Sequence, residues 1–538
     1  MRDRLMAGSS GGPEWPVRWG TPPAPTENDL DRGLARPGGD LVVLAGAPGT
    51  GKSQLAARWA REDEPDLLLW VDAASRLAVV GAYHRAYAAL TGYRGPAELG
   101  ARRFLAWLAR FDGHSLVVLD GVGEDLAGLL PGTPTLVTTR RWEGECYEIG
   151  PFTERQARAY DGGRVAGLAE ELGRAPLALA LAAAHLRETG RSCAELRKAL
   201  PEPGVRGLCA VAPVDRRVLG VLALLPAGMP EAGIGALVAG EPGAAAAVAL
   251  AERFGLVRWD GDLVRLPGSV AEVFAGPAFV PGAADLLLRT WPGPEHPLAH
   301  LHLANARTLA APPAHPVRFR LGNLLGELGW AAEAARYFRE LRGVLGGAAG
   351  AVARHDGGWW LGESGEVAAA VRELAHAVAE LSRARGPRHA DTLTARHSLA
   401  VWRTHAGEYG RAVVELAAVL RGRVQALGPR HPDTLATRHD LARWHGATGD
   451  ALAAVRELER LLRDQVLTLG GLDPGTLATR HDLARWRGHA GDPAAAVAEL
   501  GRVLDDELRV HGPWHPNILT TCHNLLFWRR VLDGQDTG

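Results

Sequence analysis

DLVVLAGAPGTGKSQLAARWA, residues 40–60, carries the strongest fold signal in the chain. Asp40 to Ala45 reads as a short buried strand and Gln54 to Ala60 as a helix, with a glycine-rich turn between them. The turn, Gly46-Ala47-Pro48-Gly49-Thr50-Gly51-Lys52-Ser53, has the spacing G-x-x-x-x-G-K-S of a phosphate-binding loop. In that loop consecutive backbone N–H groups cradle phosphates, the ammonium reaches the β- and γ-phosphates, and the hydroxyl holds Mg²⁺. Lys52 is one of only two lysines in 538 residues, arginine having replaced lysine almost everywhere else. A guanidinium is too broad and planar to stand in for that compact charge. Residues 46–53, with Gln54 beside them, are therefore the candidate nucleotide site, and ATP or ADP with Mg²⁺ the expected ligands.

Working outward, Leu67 to Val71, Leu116 to Leu119, Thr135 to Val137 and Cys146 to Ile149 are further strand candidates separated by helical stretches. The alternation predicts a parallel sheet covered by helices. Leu116-Val117-Val118-Leu119 ends in Asp120, which puts a carboxylate at the same sheet edge as Lys52, a Walker B candidate able to hold Mg²⁺ through water. The next strand ends in Thr138-Thr139-Arg140, so that Arg140, or its neighbour Arg141, is placed to read the γ-phosphate by a charge-assisted contact. The 38 residues before this region hold Pro13, Pro16, Pro22, Pro23 and Pro25 and read as a Pro/Gly-rich tail, with Trp15 and Trp19 available to dock it.

Composition narrows the classes. The formal net charge of −1 gives no electrostatic reason to expect nucleic acid. Cys146, Cys193, Cys209 and Cys522 show no metal or redox spacing. Neither a leader nor an uninterrupted apolar stretch of about 18 residues is present, so the expected place is the cytoplasm, away from membranes. Abundant Ala, Gly and Arg with scarce Lys reads as the coding bias of a GC-rich bacterial genome.

After the sheet, Leu172-Gly173-Arg174-Ala175-Pro176-Leu177-Ala178-Leu179 breaks one helix and starts another, with Pro176 where its fixed φ suits a first turn. Taken together, the Walker A loop at 46–53, LVVLD at 116–120, TTR at 138–140, IGPFTERQA at 149–157 and GRAPLA at 173–178 resemble the NB-ARC branch of the STAND signalling ATPases. The resemblance implies that Asp120 and Arg140 act in catalysis, with Arg140 as the sensor arginine. It also implies that Pro176 packs against the adenine and that residues 156–205 form a helical lid.

Val218 to Leu225, Ile234 to Val238 and Ala244 to Phe254 read as three helices, and Asp260-Gly261 as the turn of a hairpin, together a winged helix over 206–275. Its third helix carries only Glu252 and Arg253 as charges, too little for DNA, so an internal hinge is the expected role. Two departures from the family stand out: Leu266-Pro267 occupies the place of the usual His-Asp pair, and Gly121 follows the Walker B aspartate where a second acid is common, with Glu124 the nearest alternative. Both weigh against strict ADP locking and fast hydrolysis.

Trp360, Trp402, Trp444, Trp486 and Trp528 recur every 42 residues, as do His355, His397, His439, His481 and His523. With related starts at Leu393, Leu435 and Leu477 and turns at Gly407, Gly449 and Gly491, this period predicts a helix-turn-helix solenoid over 346–538. It resembles the tetratricopeptide repeats of the kinesin light chain type, whose HPDTL phrase stands at His431 to Leu435. Helical layers lie roughly 8–10 Å apart, too far for imidazoles of different repeats to share an ion, so the histidines read as packing residues and the tryptophans as inter-repeat core. The expected fold is thus a tail over 1–38, a P-loop α/β domain over 39–155, the lid, the winged helix, a helical connector over 276–345, and the solenoid.

This assembly fits a nucleotide-switched signalling protein whose repeats recognise a protein or peptide and whose ATP form self-associates into a homo-oligomer. An ATP-driven remodelling motor and a tetratricopeptide scaffold with a structural nucleotide site are the alternatives. Lys52→Ala is expected to abolish nucleotide binding and leave the helical circular dichroism of the repeats intact; ATP titrated with unchanged affinity would remove the phosphate-loop assignment.

Overall fold

The computed structural model describes residues 16–20, 22–23, 32, 34–73, 75–93, 97–123, 126, 128–238, 243–260, 262–293, 296, 298–511 and 516–534. The chain forms two compact units, Met1–Trp330 and Ala331–Gly538, the boundary falling inside the segment read from sequence as a connector. Trp15, Glu124 and Gly261 lie outside the described residues.

The first unit is built on a six-stranded parallel sheet. Its strands are Val17–Trp19 (β1), Leu41–Ala45 (β2), Leu67–Asp72 (β3), Ser115–Val122 (β4), Thr135–Thr139 (β5) and Tyr147–Glu148 (β6), in the spatial order β1-β3-β4-β5-β2-β6. Every pairing is parallel. Strands β3 to β5 are buried almost throughout, as near-continuous Val/Leu runs in a sheet covered on both faces require. Lys52–Asp63 (α1), Arg76–Thr91 (α2) and Ala97–Leu108 (α3) are the helices between strands. Leu55, Ala56, Trp59 and Ala60 of α1 join Val42, Leu44 and Leu116 in one core cluster.

Here the tail reading needs correction. Val17, Arg18 and Trp19 are not a free linker: they form the edge strand, in register with Leu67, Leu68 and Leu69. An otherwise open edge is covered this way.

Glu154–Ala159 (α4), Pro176–Thr189 (α5), Cys193–Ala199 (α6) and Val205–Val211 (α7) follow the sheet. The Thr153 and Ser192 side chains cap α4 and α6 in reciprocal capping boxes with Gln156 and Glu195. Arg216–Ala223 (α8), Glu231–Val238 (α9) and Ala244–Arg253 (α10) are the three helices expected before the hairpin of Arg258–Asp260 (β8) and Leu263–Arg265 (β9). A third short strand, Met229–Pro230 (β7), pairs antiparallel with β9. Gly268–Phe274 (α11), Val280–Arg289 (α12), Ala299–Thr308 (α13) and Pro316–Glu327 (α14) complete the unit. Asn305, fully buried on α13, accepts from Ala227 N and donates to Gly228 O, fixing that helix to the loop before β7.

The second unit is a solenoid of antiparallel helices: Ala331–Val344 (α15), Gly347–Glu363 (α16), Val367–Arg385 (α17), Ala390–His405 (α18), Tyr409–Leu427 (α19), Pro432–Ala447 (α20), Ala451–Thr468 (α21), Pro474–His489 (α22), Pro493–His511 (α23) and Pro516–Leu532 (α24). Two devices repeat with the 42-residue period. First, three first helices, α18, α20 and α22, start with a side-chain cap: the Nδ1 of His389 and of His431, and Asp473 Oδ1, accept backbone N–H groups of the first turn. Second, the tryptophan of one repeat lies on a glycine of the preceding first helix. A Cβ on Gly362, Gly446 or Gly488 would stand within 2.3–2.5 Å of Trp402, Trp486 or Trp528. Those three tryptophans are buried; Trp444, whose predecessor at that place is Thr404, is only partly buried beside Tyr409.

The periodic histidines do more than pack. His355 Nε2 meets Ser398 Oγ at 2.9 Å, His397 Nε2 meets Asp440 Oδ2 at 2.9 Å, His439 Nε2 lies 3.2 Å from Asp482 Oδ2, and His481 Nε2 is 3.0 Å from Asn524 Nδ2. Each histidine thus reaches the residue after the next repeat's histidine, a ladder linking successive first helices. Among the described residues no group of three or more His, Cys, Asp or Glu side chains is arranged to hold a metal ion. No single described helix is long and apolar enough to cross a membrane; only α11 with Pro277–Arg289 passes such a test, as a pair bent by 86°.

The ladder makes the second unit pH-sensitive. Burial alone lowers the His439 pKa, but hydrogen bonding and charge from Asp440 and Asp482 override it and hold the imidazolium up to about 9. Burial likewise raises Asp440 and Asp482, and their histidine partners outweigh it, leaving both well below the ordinary carboxylate range. A histidine raised above its unfolded value of about 6.5 stabilises fully below that pH and loses the contribution as pH climbs through about 9. The depressed aspartates stabilise above their unfolded value of about 3.9 and lose it as pH falls. Thermal unfolding followed by circular dichroism is expected to give the solenoid its highest midpoint between about pH 4 and 6.5. Asp482→Asn is expected to flatten the alkaline fall; a midpoint insensitive to pH between 6 and 9 in the parent protein contradicts the ladder's role.

Candidate functional site

The site forms where the order of the sheet reverses. Strand β2 lies between β5 and β6, so the loop leaving β2 opens beside the carboxyl ends of β4 and β5. The turn requires glycine at its ends. Gly46 has φ 148° and a Cβ there would stand 2.5 Å from Ile149 O; Gly51, with φ 87°, precedes α1, whose N-terminus has no side-chain cap. The start of α1 is thus left open as an anion-binding end. Thr50 Oγ1 donates to Ala47 O, which closes the loop.

Lys52 Nζ folds back over the loop and donates to Gly46 O and Ala47 O, each at 2.8 Å. Burial pushes the ammonium below its ordinary value; the charge of Asp120 opposes this and that of Arg140 adds to it. Ser53 Oγ donates to Asp120 Oδ1 at 2.6 Å, Thr138 Oγ1 donates to the same oxygen at 2.5 Å, and Gly121 N donates to Thr138 Oγ1. One carboxylate therefore gathers the first turn of α1 and the end of β5. This all-oxygen set of carboxylate and hydroxyls suits a hard cation such as Mg²⁺. Buried Gln54 Oε1 has no hydrogen-bond partner among the described residues.

Pro176 opens α5 at its first turn, and Leu177 N donates to Gly49 O, holding that helix against the loop. Phe152 and Tyr160, with ring centroids 5.8 Å apart, line the same cavity as Pro176, which encloses about 1970 Å³. Arg140 lies apart from the phosphate loop's hydrogen bonds: it is largely exposed and pairs with Glu272 of α11 at 3.0 Å. Arg265 at the end of β9 likewise approaches Asp72 at 3.7 Å. Leu266 and Pro267 also line the cavity, and Ser269 Oγ stands 3.6 Å from where a Cβ on Gly49 would be.

Sequence reasoning missed Arg32. Its guanidinium donates to Thr50 O and Gly150 O and lies 4.8 Å over the Phe152 ring, while Gln156 donates to its carbonyl. Burial lowers its pKa. No motif marks this arginine, which stands in a proline-rich stretch; only the fold brings it across the loop. The missed partner of Arg140, Glu272, is similarly 132 residues away in sequence.

Comparison with known proteins supports the repeats. Residues 392–433 match the family model described as tetratricopeptide repeat. A structure of Podosopora anserina putative kinesin light chain, nearly identical tetratricopeptide-like repeats, shares 25% identity over 38% of this chain and 99% of its own, at a TM-score of 0.33. A Signal Transduction ATPase with Numerous Domains protein with a tetratricopeptide repeat sensor, from Pyrococcus horikoshii, shares 13% identity over 96% of this chain and 87% of its own, at a TM-score of 0.45. BtubC from P. vanneervenii shares 16% identity over 44% of this chain and 92% of its own, at 0.34. No curated protein matches the chain. Residues 392–433 are thus a tetratricopeptide repeat, set in a stack of antiparallel helices of the kind suited to protein interaction.

The hydrogen bonding ranks the two sheet-edge residues by their structural weight. Asp120→Ala leaves two partly buried hydroxyls without their acceptor and is expected to cost about 1–3 kcal/mol in the ligand-free protein. Arg140→Ala breaks an exposed pair and is expected to cost no more than about 1 kcal/mol. Denaturant unfolding of the two variants checks the ranking; equal losses contradict it.

Proposed function

We propose that this protein is a nucleotide-switched regulator of the STAND type, in which the first unit binds ATP or ADP with Mg²⁺ and the tetratricopeptide solenoid recognises a protein or peptide. The observation carrying the reading is the convergence of Lys52, Ser53, Asp120 and Thr138 on one sheet edge beneath an uncapped helix start. Lys52 exchanges its two loop carbonyls for phosphate oxygens, and the N–H groups of residues 49–54 surround the same phosphates. Ser53 and Asp120 would hold Mg²⁺, which would neutralise phosphate charge there. Phe152, Tyr160 and Pro176 supply apolar surface for the base, and Arg32 closes the mouth from the N-terminal side.

Switching follows from Arg140. In the structure it is engaged by Glu272 of the winged-helix region, and a γ-phosphate is a competing, more highly charged acceptor. Drawing Arg140 away from Glu272 loosens α11 from the sheet edge, so ATP favours the open form and ADP the closed one. Slow hydrolysis fits Gly121 at the place of a second acid. Self-association in the ATP state is the corresponding output.

Nucleotide released from the purified, denatured protein is expected to be ADP, and exchange to ATP is expected to raise the mass in solution. An empty site with rapid turnover favours a motor, and an empty site without binding a scaffold. In the same assays Arg140→Ala is expected to weaken ATP more than ADP, and Glu272→Ala to raise the ATP:ADP affinity ratio several-fold. Equal effects on both nucleotides contradict the competition.

A further inference from the structure

Helix α24 breaks the pattern of the solenoid on one face. Leu393, Leu435 and Leu477 hold the same place in α18, α20 and α22 and are each 1% exposed, whereas Leu519, at that place in α24, is 76% exposed. Ala400, Ala442 and Ala484 are fully buried, and Leu526, at their place, is 59% exposed. In the complete repeats this face takes the repeat's own second helix. Leu435 and Ala442 pack with Ala454, Leu458 and Leu461 of α21, and Ala484 packs with Ala496 and Leu500 of α23. Among the described residues no helix stands there against α24.

Three replacements unfit that face for a further repeat. Arg396, Arg438 and Arg480 pair with Glu415, Glu457 and Glu499 of their second helices, and the residue at their place in α24 is Cys522. Leucine at 526 fills the space in which alanine lets the second helix approach closely. Arg530 stands where Gly446 and Gly488 receive the following tryptophan. The ionic and close-packing contacts of the array are gone, while the apolar side chains are kept and enlarged. A helical face of this kind marks an interface with another chain.

The stripe is complementary to itself. Leu519 and Leu526 lie about two turns apart and equidistant from the midpoint between Cys522 and His523. Two α24 helices laid antiparallel about a two-fold axis therefore set Leu519 of each copy against Leu526 of the other. Charge selects this direction. From Pro516 to Trp528 the helix carries no Asp, Glu, Lys or Arg, and Arg529 and Arg530 sit together in its last turn. Parallel pairing would crowd the arginines of both copies, whereas antiparallel pairing sends them to opposite ends. Each pair then lies past the start of the other helix, near the turn where α23 ends at His511 and where helix carbonyls favour a cation.

We propose that α24 is a homodimer interface, occupied by α24 of a second copy of this chain in antiparallel pairing. Its 17 residues span about 25 Å, so the paired stripe falls at the low end of specific interfaces, and a dissociation constant on the order of 10 µM is expected. The pairing does not rest on the nucleotide reading, since its residues all belong to the second unit.

The test is sedimentation velocity of the full-length protein from about 1 to 100 µM, spanning the expected constant. A monomer–dimer equilibrium is expected in the parent and equally in Lys52→Ala. Leu519→Glu is expected to weaken the dimer at least tenfold with the helical circular dichroism unchanged; Leu526→Glu serves if Leu519→Glu does not fold. A short bismaleimide is expected to join two copies of the parent through Cys522, beside the axis, and to fail on Cys522→Ser. A parent that stays monomeric, as it would if the face took a helix of a different protein, overturns the proposal. So does a dimer that is lost in Lys52→Ala, resists both glutamates, or still crosslinks without Cys522.

Discussion

The first unit depends on one carboxylate. Asp120 accepts hydrogen bonds from Ser53 and Thr138 through the same oxygen, so the end of β4 fixes both the first turn of the helix after the glycine loop and the end of β5. Backbone ladders pair β2 and β4 with β5 on either side, and the carboxylate adds the tie between the first turn of α1 and the ends of β4 and β5. A hydroxyl pair that satisfies the aspartate in the ligand-free protein also keeps its desolvation cost low, which prepares the oxygens for a cation without leaving a buried charge unpaired.

What the sequence made legible follows from how local each signal is. The strand, loop and helix of residues 40–60 are contiguous, and the buried runs at 67–71, 116–119 and 135–137 are long enough for an apolar stretch to speak for itself. The 42-residue period is repeated information and needs no partner to be read. By contrast β1 is three residues, Val17 to Trp19, among prolines and glycines, and becomes a strand only because Leu67 to Leu69 present an open edge. Likewise β7 is the pair Met229–Pro230, defined by its register with β9. Arg32 and Glu272 take their meaning from partners on distant segments, which no single-chain pattern announces.

The solenoid shows the same division between periodic and positional information. The tryptophans declare the repeat, but the reason they stack is the glycine two residues after the preceding tryptophan, at Gly362, Gly446 and Gly488, where helix packing outweighs the roughly 1 kcal/mol propensity cost of glycine. Where Thr404 replaces it, Trp444 is only partly buried. The histidines form a ladder with the residue after the next histidine, Ser398, Asp440, Asp482 and Asn524 in turn. Only the two aspartates make it ionic, so the charged section is confined to the middle of the array, and with it the alkaline sensitivity.

The proposed switch requires contacts that are individually weak. Arg140 with Glu272 and Arg265 with Asp72 are exposed or partly exposed pairs, each worth at most about 1 kcal/mol in water. A buried, well-satisfied bridge at either place would need several kcal/mol to open and would hold α11 and the β8–β9 hairpin against the sheet whatever the ligand. Weak exposed pairs instead bring the closed and open arrangements within the few kcal/mol that a ligand's differential affinity can supply. The tight bonding around Asp120 and the loose bonding around Arg140 thus divide the sheet edge, in the proposed switch, into a part that would bind and a part that would respond.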